Sequence, residues 1–265
     1  MRPGLVLTLL ASGCSSSLAQ QALSELDGAD LGDEAVTAFM LREAGADGVV
    51  AFAERQVFGL ANQAWTDVAC PVATTDEDTT TFAGDCETTL GTHFSGSLQL
   101  RTVWHDRTGE LTDLEVVAEQ FSMSWDGLCQ ASADRGSAAR ASHSVLLDGT
   151  YRRVGREFAV DLLYDTTVDS DEPACAAGRG LWAARMEGQI VVHAEDGPVP
   201  ERRVLQAEGA LGITPYGRVD AITRDLTFTA CPAGPVTGTV TLTSSRGNAE
   251  HTYDNCGGAG WLNES

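Results

Sequence analysis

The chain of 265 residues contains no lysine, so its 17 basic residues are all arginine. Against them stand 38 acidic residues, and the formal net charge is −21. Such a chain has too little positive charge to neutralise a phosphate backbone, which excludes nucleic acid as a partner. It also lacks any run of about eighteen apolar residues, the length that a membrane-spanning helix needs. Hydrophobic residues still make up 43% of the sequence, which indicates a folded protein rather than a disordered one.

The sequence signatures of common catalytic sites are also missing. The chain has no Cys-x-x-Cys, His-Glu-x-x-His or Gly-x-Ser-x-Gly motif and no phosphate-binding loop. Gly178-Arg179-Gly180 begins like a dinucleotide-binding fingerprint, but it precedes a predicted strand, and this context favours a turn. We therefore assign no catalytic residue, no metal ligand and no cofactor. On balance, the sequence favours a protein that is not an enzyme.

The N-terminal segment, MRPGLVLTLLASGCSSS, predicts export. Arg2 supplies a positive start, Leu5–Leu10 is a short apolar stretch, and small residues precede Cys14. This segment resembles the lipobox signal of bacterial lipoproteins, although Ala11 stands where that family prefers leucine. The resemblance implies that residues 1–13 are a signal peptide and that cleavage before Cys14 is accompanied by acylation of this cysteine. The membrane, through this lipid anchor, is the one partner that the sequence predicts.

Two destinations of the exported chain are consistent with the sequence. By resemblance to lipoproteins of Gram-negative bacteria, the serine rather than aspartate at Ser15 implies delivery to the outer membrane. The alternative is ordinary secretory cleavage after Ala19, because Ser17-Leu18-Ala19 also has small residues at the positions that signal peptidase recognises. That cleavage would give a periplasmic or secreted protein without an anchor.

Cysteine usage agrees with export. Either route removes Cys14 from the pairing thiols, and six of the seven cysteines remain. An even number in an exported chain indicates a disulfide framework. Cys70-Pro71 and Cys231-Pro232 each precede a threonine-rich run that ends at another cysteine, which indicates two local bridges. The predicted pairs are Cys70 with Cys86, Cys231 with Cys256 and, from the two that remain, Cys129 with Cys175.

The region before the main domain divides into two parts. Residues 14–32 are mostly small and polar, a composition typical of a flexible tether. Residues 33–65 have the spacing of one or two α-helices, the first capped by Asp33. Their apolar stripes are expected to contact the rest of the fold. The stripes consist of Val36, Phe39 and Met40, and of Val50, Ala53, Val57, Leu60 and Ala64.

From residue 66 to residue 265, apolar residues alternate with polar ones, the pattern of β-strands with one buried face. Short glycine-containing turns separate these runs. The sequence therefore predicts a mainly β domain: an antiparallel, strongly curved sheet or open barrel, preceded by one or two α-helices. Four glycines followed by apolar residues two and four positions later predict bulges or bends: Gly96, Gly188, Gly209 and Gly238. Residues predicted to lie on buried faces include Trp104, Val117, Trp125, Trp182 and Ile222.

Histidines and acidic runs do not form a recognisable site in the sequence. A metal or catalytic site would require strands far apart in the chain to bring single histidines together. The acidic runs at 76–78 and 169–172 lack the glycine and distal glutamate of an EF-hand, so they are predicted to be solvated loops. A system of His251 with Asp254 and Ser244 or Ser245 has no support beyond proximity in sequence. The five histidines are His93, His105, His143, His193 and His251.

These observations favour a cell-envelope lipoprotein with a structural or binding role. One alternative is a carrier of a lipid or other apolar ligand, which requires a deep apolar pocket between the helices and the sheet. A second alternative is a hydrolase acting on envelope polymers, which requires a cleft holding two carboxylates, one of them with a raised pKa.

Overall fold

The computed structural model describes residues 16–65, 69–104, 111–130, 138–170, 179–193, 201–228 and 235–254. Within these ranges three helices precede the strands: α1 (Leu18–Glu25), α2 (Glu34–Ala44) and α3 (Ala46–Ala64). None of the helices in these ranges is long and apolar enough to cross a membrane. The helical pattern predicted for residues 33–65 is confirmed by α2 and α3, whereas α1 was not predicted.

The first of the two predicted helices begins as its sequence requires. The Asp33 carboxylate accepts hydrogen bonds from the backbone N–H groups of Ala35 and Val36 at 2.9 and 3.2 Å, which satisfies donors that have no partner within the helix. Gly45 separates α2 from α3 with an extended ψ angle of 131°. The five stripe residues of α3, from Val50 to Ala64, are at most 4% exposed, so this stripe faces the core as predicted.

The strands form one antiparallel sheet in which successive strands are neighbours, except that β3 pairs with β4 beside β2. The sheet is curled and not closed, so the predicted fold class is confirmed. Its strands are β1 (Val72–Asp76), β2 (Thr79–Ala83), β3 (Cys86–Glu87), β4 (His93–Trp104), β5 (Leu111–Gln130), β6 (Ala138–Val154), β7 (Glu157–Asp169), β8 (Gly180–His193), β9 (Glu201–Ile213), β10 (Gly217–Phe228), β11 (Thr237–Ser244) and β12 (Gly247–Tyr253).

One face of the sheet, here called the inner face, curls around α2 and α3. A continuous apolar core contains side chains from both helices and from strands between β2 and β12, among them Phe82 at one end and Ala249 at the other. The opposite, outer face carries α1. Helix α1 has its own small cluster, in which Leu23 packs with Leu163 and Leu181 of β7 and β8. The sheet therefore lies between α1 on one side and α2 with α3 on the other.

The prediction of a flexible tether over residues 14–32 is wrong for the part that the structure describes. Residues 18–25 are helical, and Ala19 and Leu23 are only 1% and 3% exposed. The segment then runs alongside β10, where the Arg218 N–H donates to the Asp27 carbonyl oxygen at 2.8 Å. Small side chains suggested a tether, but here they allow a helix to pack closely on the sheet. Residues 14 and 15 lie outside the described range.

Two bulges correct the predicted faces of β5 and β10. The register shifts between Ala118 and Phe121 and again between Arg224 and Thr227. One extra residue in a strand reverses which of its alternating side chains face the core. Val117 and Ile222, predicted to be buried, are consequently 39% and 44% exposed.

Two of the four predicted glycine positions lie opposite these bulges. Gly96 and Gly238 have φ angles of +71° and +108°, values that favour glycine. A Cβ at Gly96 would lie 2.3 Å from the carbonyl oxygen of Gln120, and one at Gly238 would lie 2.5 Å from that of Asp225. The bulged strand thus occupies the space that a side chain would need. The prediction that such glycines mark irregular strands is confirmed at both positions.

Candidate functional site

Helix α1 is held on the outer face by Ser17, the residue that precedes its first turn. Ser17 caps the helix, because its Oγ accepts a hydrogen bond from the Gln20 N–H at 3.1 Å. The same hydroxyl donates to Oδ1 of Asp161, on β7, at 2.7 Å. The sequence does not predict the contact between Ser17 and Asp161, because 144 residues separate them. The signal in the sequence was a serine three residues before Gln20 together with the apolar spacing of Leu18, Ala19, Ala22, Leu23 and Leu26.

The segment after α1 carries the chain from the outer face to the inner one across the ends of the strands. The Ala29 N–H donates to the Arg218 carbonyl oxygen, and Oγ of Ser244 donates to the Ala29 carbonyl oxygen at 2.7 Å. Asp30 pairs with Arg246 at 2.6 Å, in the turn between β11 and β12. These contacts fix α1 relative to the sheet at its C-terminal end, as Ser17 does at its N-terminal end.

A polar groove lies beside α1 on the outer face. Its two parts have volumes of about 740 and 810 Å³ and share Glu187, Glu208 and Ile222 in their walls. Charged side chains of both signs line it, and Gln20, Leu23 and Ser24 of α1 form one wall. The walls therefore combine charged side chains with apolar ones such as Leu23 and Ile222.

Arginines pair with carboxylates across neighbouring strands of the outer face. Arg185 lies 3.4 Å from Asp161, and Arg101 and Arg152 both lie 3.1 Å from Glu115. Hydrogen bonds from Arg152 and Arg101 lower the pKa of Glu115. A general acid in a glycoside hydrolase needs the opposite shift, so Glu115 does not fit the hydrolase alternative.

The inner face is filled by side chains of α2 and α3. Phe52 of α3 stacks on Trp182 with ring centroids 4.4 Å apart, and Phe39 of α2 stacks on Tyr216 at 4.1 Å. On β6, Tyr151 donates a 2.7 Å hydrogen bond to Glu54 of α3. The carrier alternative expects an apolar pocket in this position. The described residues instead form a packed core there.

The predicted tryptophan positions have different outcomes. Trp182 is 4% exposed, as predicted, and Trp125 is partly buried and stacks on His143 with centroids 5.2 Å apart. Trp104 was predicted to be buried but is 53% exposed. It is the last residue of β4, and the register shifts just before it, so the end of this strand does not continue the buried row.

The three histidines whose side chains the structure describes, His93, His143 and His251, are not brought together as a site. His93 is exposed, whereas His251 is only 9% exposed and contacts Tyr253. Burial lowers the pKa of His251. Val240 is its cross-strand neighbour, while Ser244 pairs with Gly247 at the other end of the hairpin, so no nucleophile system forms with Ser244. His105 and the side chain of His193 lie outside the description, and no three potential ligand side chains group into a metal site in the ranges described.

One of the three predicted disulfides lies in the described part of the chain. Cys70 and Cys86 form a bridge across a separation of 16 residues, which confirms that pair. Cys175, Cys231, Cys256 and the side chain of Cys129 lie outside the described part, as does Cys14. The acidic run at 76–78 forms the turn between β1 and β2, where Asp78 pairs with Arg101 at 2.9 Å.

Comparison with protein-family models finds no matching family. Searches of curated proteins and of solved structures find no match either. The functional argument therefore depends on the residues and geometry of this chain alone.

Proposed function

We propose that this chain is an exported cell-envelope lipoprotein, acylated at Cys14, whose β domain has a structural or binding role rather than a catalytic one. The proposal includes delivery to the outer membrane. The lipobox-like sequence before Cys14 supports it, and so does the Cys70–Cys86 disulfide, because such bonds persist in oxidising compartments outside the cytoplasm.

The position of Ser17 is the observation that best supports acylation at Cys14. Cleavage before Cys14 would keep Ser17, its bond to Asp161 and all of α1. Cleavage after Ala19 would remove the helix cap together with Leu18 and the buried side chain of Ala19. Loss of an N-cap alone costs about 1 kcal/mol. A mature domain that retains its first helix is therefore better explained by cleavage at Cys14.

The structural or binding role is supported by what occupies the two faces. Helices fill the inner face, where a carrier would need a pocket. The outer groove offers charged and polar walls suited to surface contacts. Neither alternative function has a feature in the described residues that favours it over this proposal.

The test is to express the full chain and a Cys14→Ser variant and to measure acyl labelling, membrane fractionation and the mass of the mature protein. We expect an acylated N-terminus at Cys14 in the wild type and loss of labelling and membrane association in the variant. A Ser16→Ala variant is the matched control and should behave as wild type. A mature chain that begins at Gln20, or unchanged fractionation of Cys14→Ser, would overturn the proposal.

A further inference from the structure

We propose that the outer face of the sheet lies against the headgroups of the membrane that holds the acyl chains, and that the α2–α3 side points away from it. This inference rests on the proposed acylation of Cys14. It assigns the α1 groove to the bilayer surface and leaves the opposite side of the domain to other partners.

The first support is the shortness of the connection between anchor and domain. Only Ser15 separates Cys14 from Ser16, the first described residue. From Cys14 to Ser17 the chain advances three residues, which span at most about 10 Å when fully extended. The lipidated cysteine therefore cannot lie further than this from Ser17. A flexible tether of residues 14–32 would have reached several times as far, but residues 18–25 of that segment form α1, and Asp27 and Ala29 are hydrogen-bonded to Arg218 of β10.

The second support is that Ser17 is fixed over the middle of the outer face. Its partner Asp161 lies on β7, which has five strands of the main path on each side. Asp161 is also an interior position of its strand, Glu157–Asp169. An anchor at the edge of a sheet would let the domain stand upright on the membrane. An anchor over the centre, on a connection of about 10 Å, brings the whole face close to the surface.

The dimensions of the bilayer agree with close contact. Headgroups occupy about 5 to 8 Å on each side of the hydrocarbon core, so acyl chains begin just beneath a thin polar layer. A reach of about 10 Å is similar to the diameter of α1, which lies on the same face, so the headgroups meet α1 and the groove beside it before the sheet itself. Charged side chains in the groove match this environment, since Arg185 and Arg218 lie there beside carboxylates such as Asp161.

Charge does not set this orientation. Removal of Arg2 with the signal peptide changes the net charge from −21 to −22, so an anionic membrane repels the domain as a whole. At physiological ionic strength this repulsion decays over about 8 Å, a distance similar to the connection itself. The repulsion can tilt the domain, but it cannot turn a face away when that face carries the anchor at its centre. Salt should therefore alter the depth of contact more than its location.

The experiment compares two fluorescent labels on the full acylated protein. One label is attached at Glu208→Cys, an exposed outer-face position about 12 Å from Asp161 by strand spacing, and the other at Asn62→Cys, an exposed position on α3. Each protein is inserted into vesicles of phosphatidylethanolamine and phosphatidylglycerol that contain a nitroxide-labelled headgroup lipid. The chain without an added cysteine measures background labelling. We expect the label at Glu208 to lose most of its fluorescence and the label at Asn62 to retain most of it.

A second pair of proteins carries an insertion of about twenty glycine and serine residues between Ser15 and Ser16, which has a mean span near 25 Å. The difference between the two labels should then largely disappear. If the acylated protein binds vesicles but both labels are quenched equally without the insertion, or Asn62 more strongly, the orientation is wrong while the lipid anchor stands. If the protein carries no acyl group, the proposed function itself fails. These two failures are thus distinguished by mass and fractionation.

Discussion

The Cys70–Cys86 bridge allows a stability prediction with a magnitude. It closes a loop with a separation of 16 residues, and a loop of this length restricts the unfolded chain by about 3 kcal/mol. We expect the double variant Cys70→Ala/Cys86→Ala to lose about this free energy of unfolding, roughly a hundredfold in the equilibrium constant. Alanine is the better replacement because Cys70 is 1% exposed, and serine would bury a hydroxyl group there.

The loss of stability should be concentrated at one end of the sheet. All residues of β1 are exposed, and the β1–β2 hairpin joins the main sheet through β4, with Phe82 as its buried side chain. Without the bridge, this hairpin can open before the rest of the domain unfolds. Amide exchange should therefore accelerate most in Thr79–Ala83 and least in the central strand Glu157–Asp169.

The assay is guanidinium denaturation together with hydrogen exchange, both on non-reduced protein so that any other disulfide stays intact. Single Cys70→Ala and Cys86→Ala variants serve as controls, because each breaks the bridge while deleting only one side chain. A double variant as stable as the wild type, with unchanged exchange in β2, would refute the reasoning. A uniform rise of exchange across the sheet would refute the localisation.

Two further predictions follow from single residues. Gly96→Ala should lower the free energy of unfolding by more than about 1 to 2 kcal/mol, because the φ of Gly96 is +71° and the new Cβ would lie 2.3 Å from the Gln120 carbonyl oxygen. Gly59→Ala, at a position with open space in α3, should raise it by about 0.5 to 1 kcal/mol in the same guanidinium denaturation assay. The pKa of His251 is lowered in the folded state. Its contribution to the free energy of unfolding should therefore be fully present above pH 6.5 and be lost as the pH decreases below that value. His251→Gln should flatten this dependence and His93→Gln should not; a parallel slope in the His251 variant would contradict the assignment.

Much of the fold can be predicted from patterns of residues that are close together in the sequence. Phe158, Val160 and Leu162 of β7 are buried, as the alternating pattern predicts, because a strand with one buried face has a period of two. The Asp33 cap and the α3 stripe were likewise predicted, since both depend on residues within a few turns of one another. The Cys70–Cys86 pair followed from a repeated local pattern.

The errors arose where a position depends on a distant partner. Val117 and Ile222 face outward because bulges shift the register, and a bulge is defined by the opposing strand as much as by its own residues. Trp104 is exposed because the register with β5 shifts just before it, at the end of β4.

The sequence by itself determined that this is an acidic, mainly β chain, because composition and periodicity are local properties. Only the tertiary structure decided that α1 lies on the face opposite α2 and α3, and that Ser17 lies over the central strand. Alanines and serines give little periodic signal of their own. Their burial results from a contact between segments more than a hundred residues apart, which exists only once the sheet has formed.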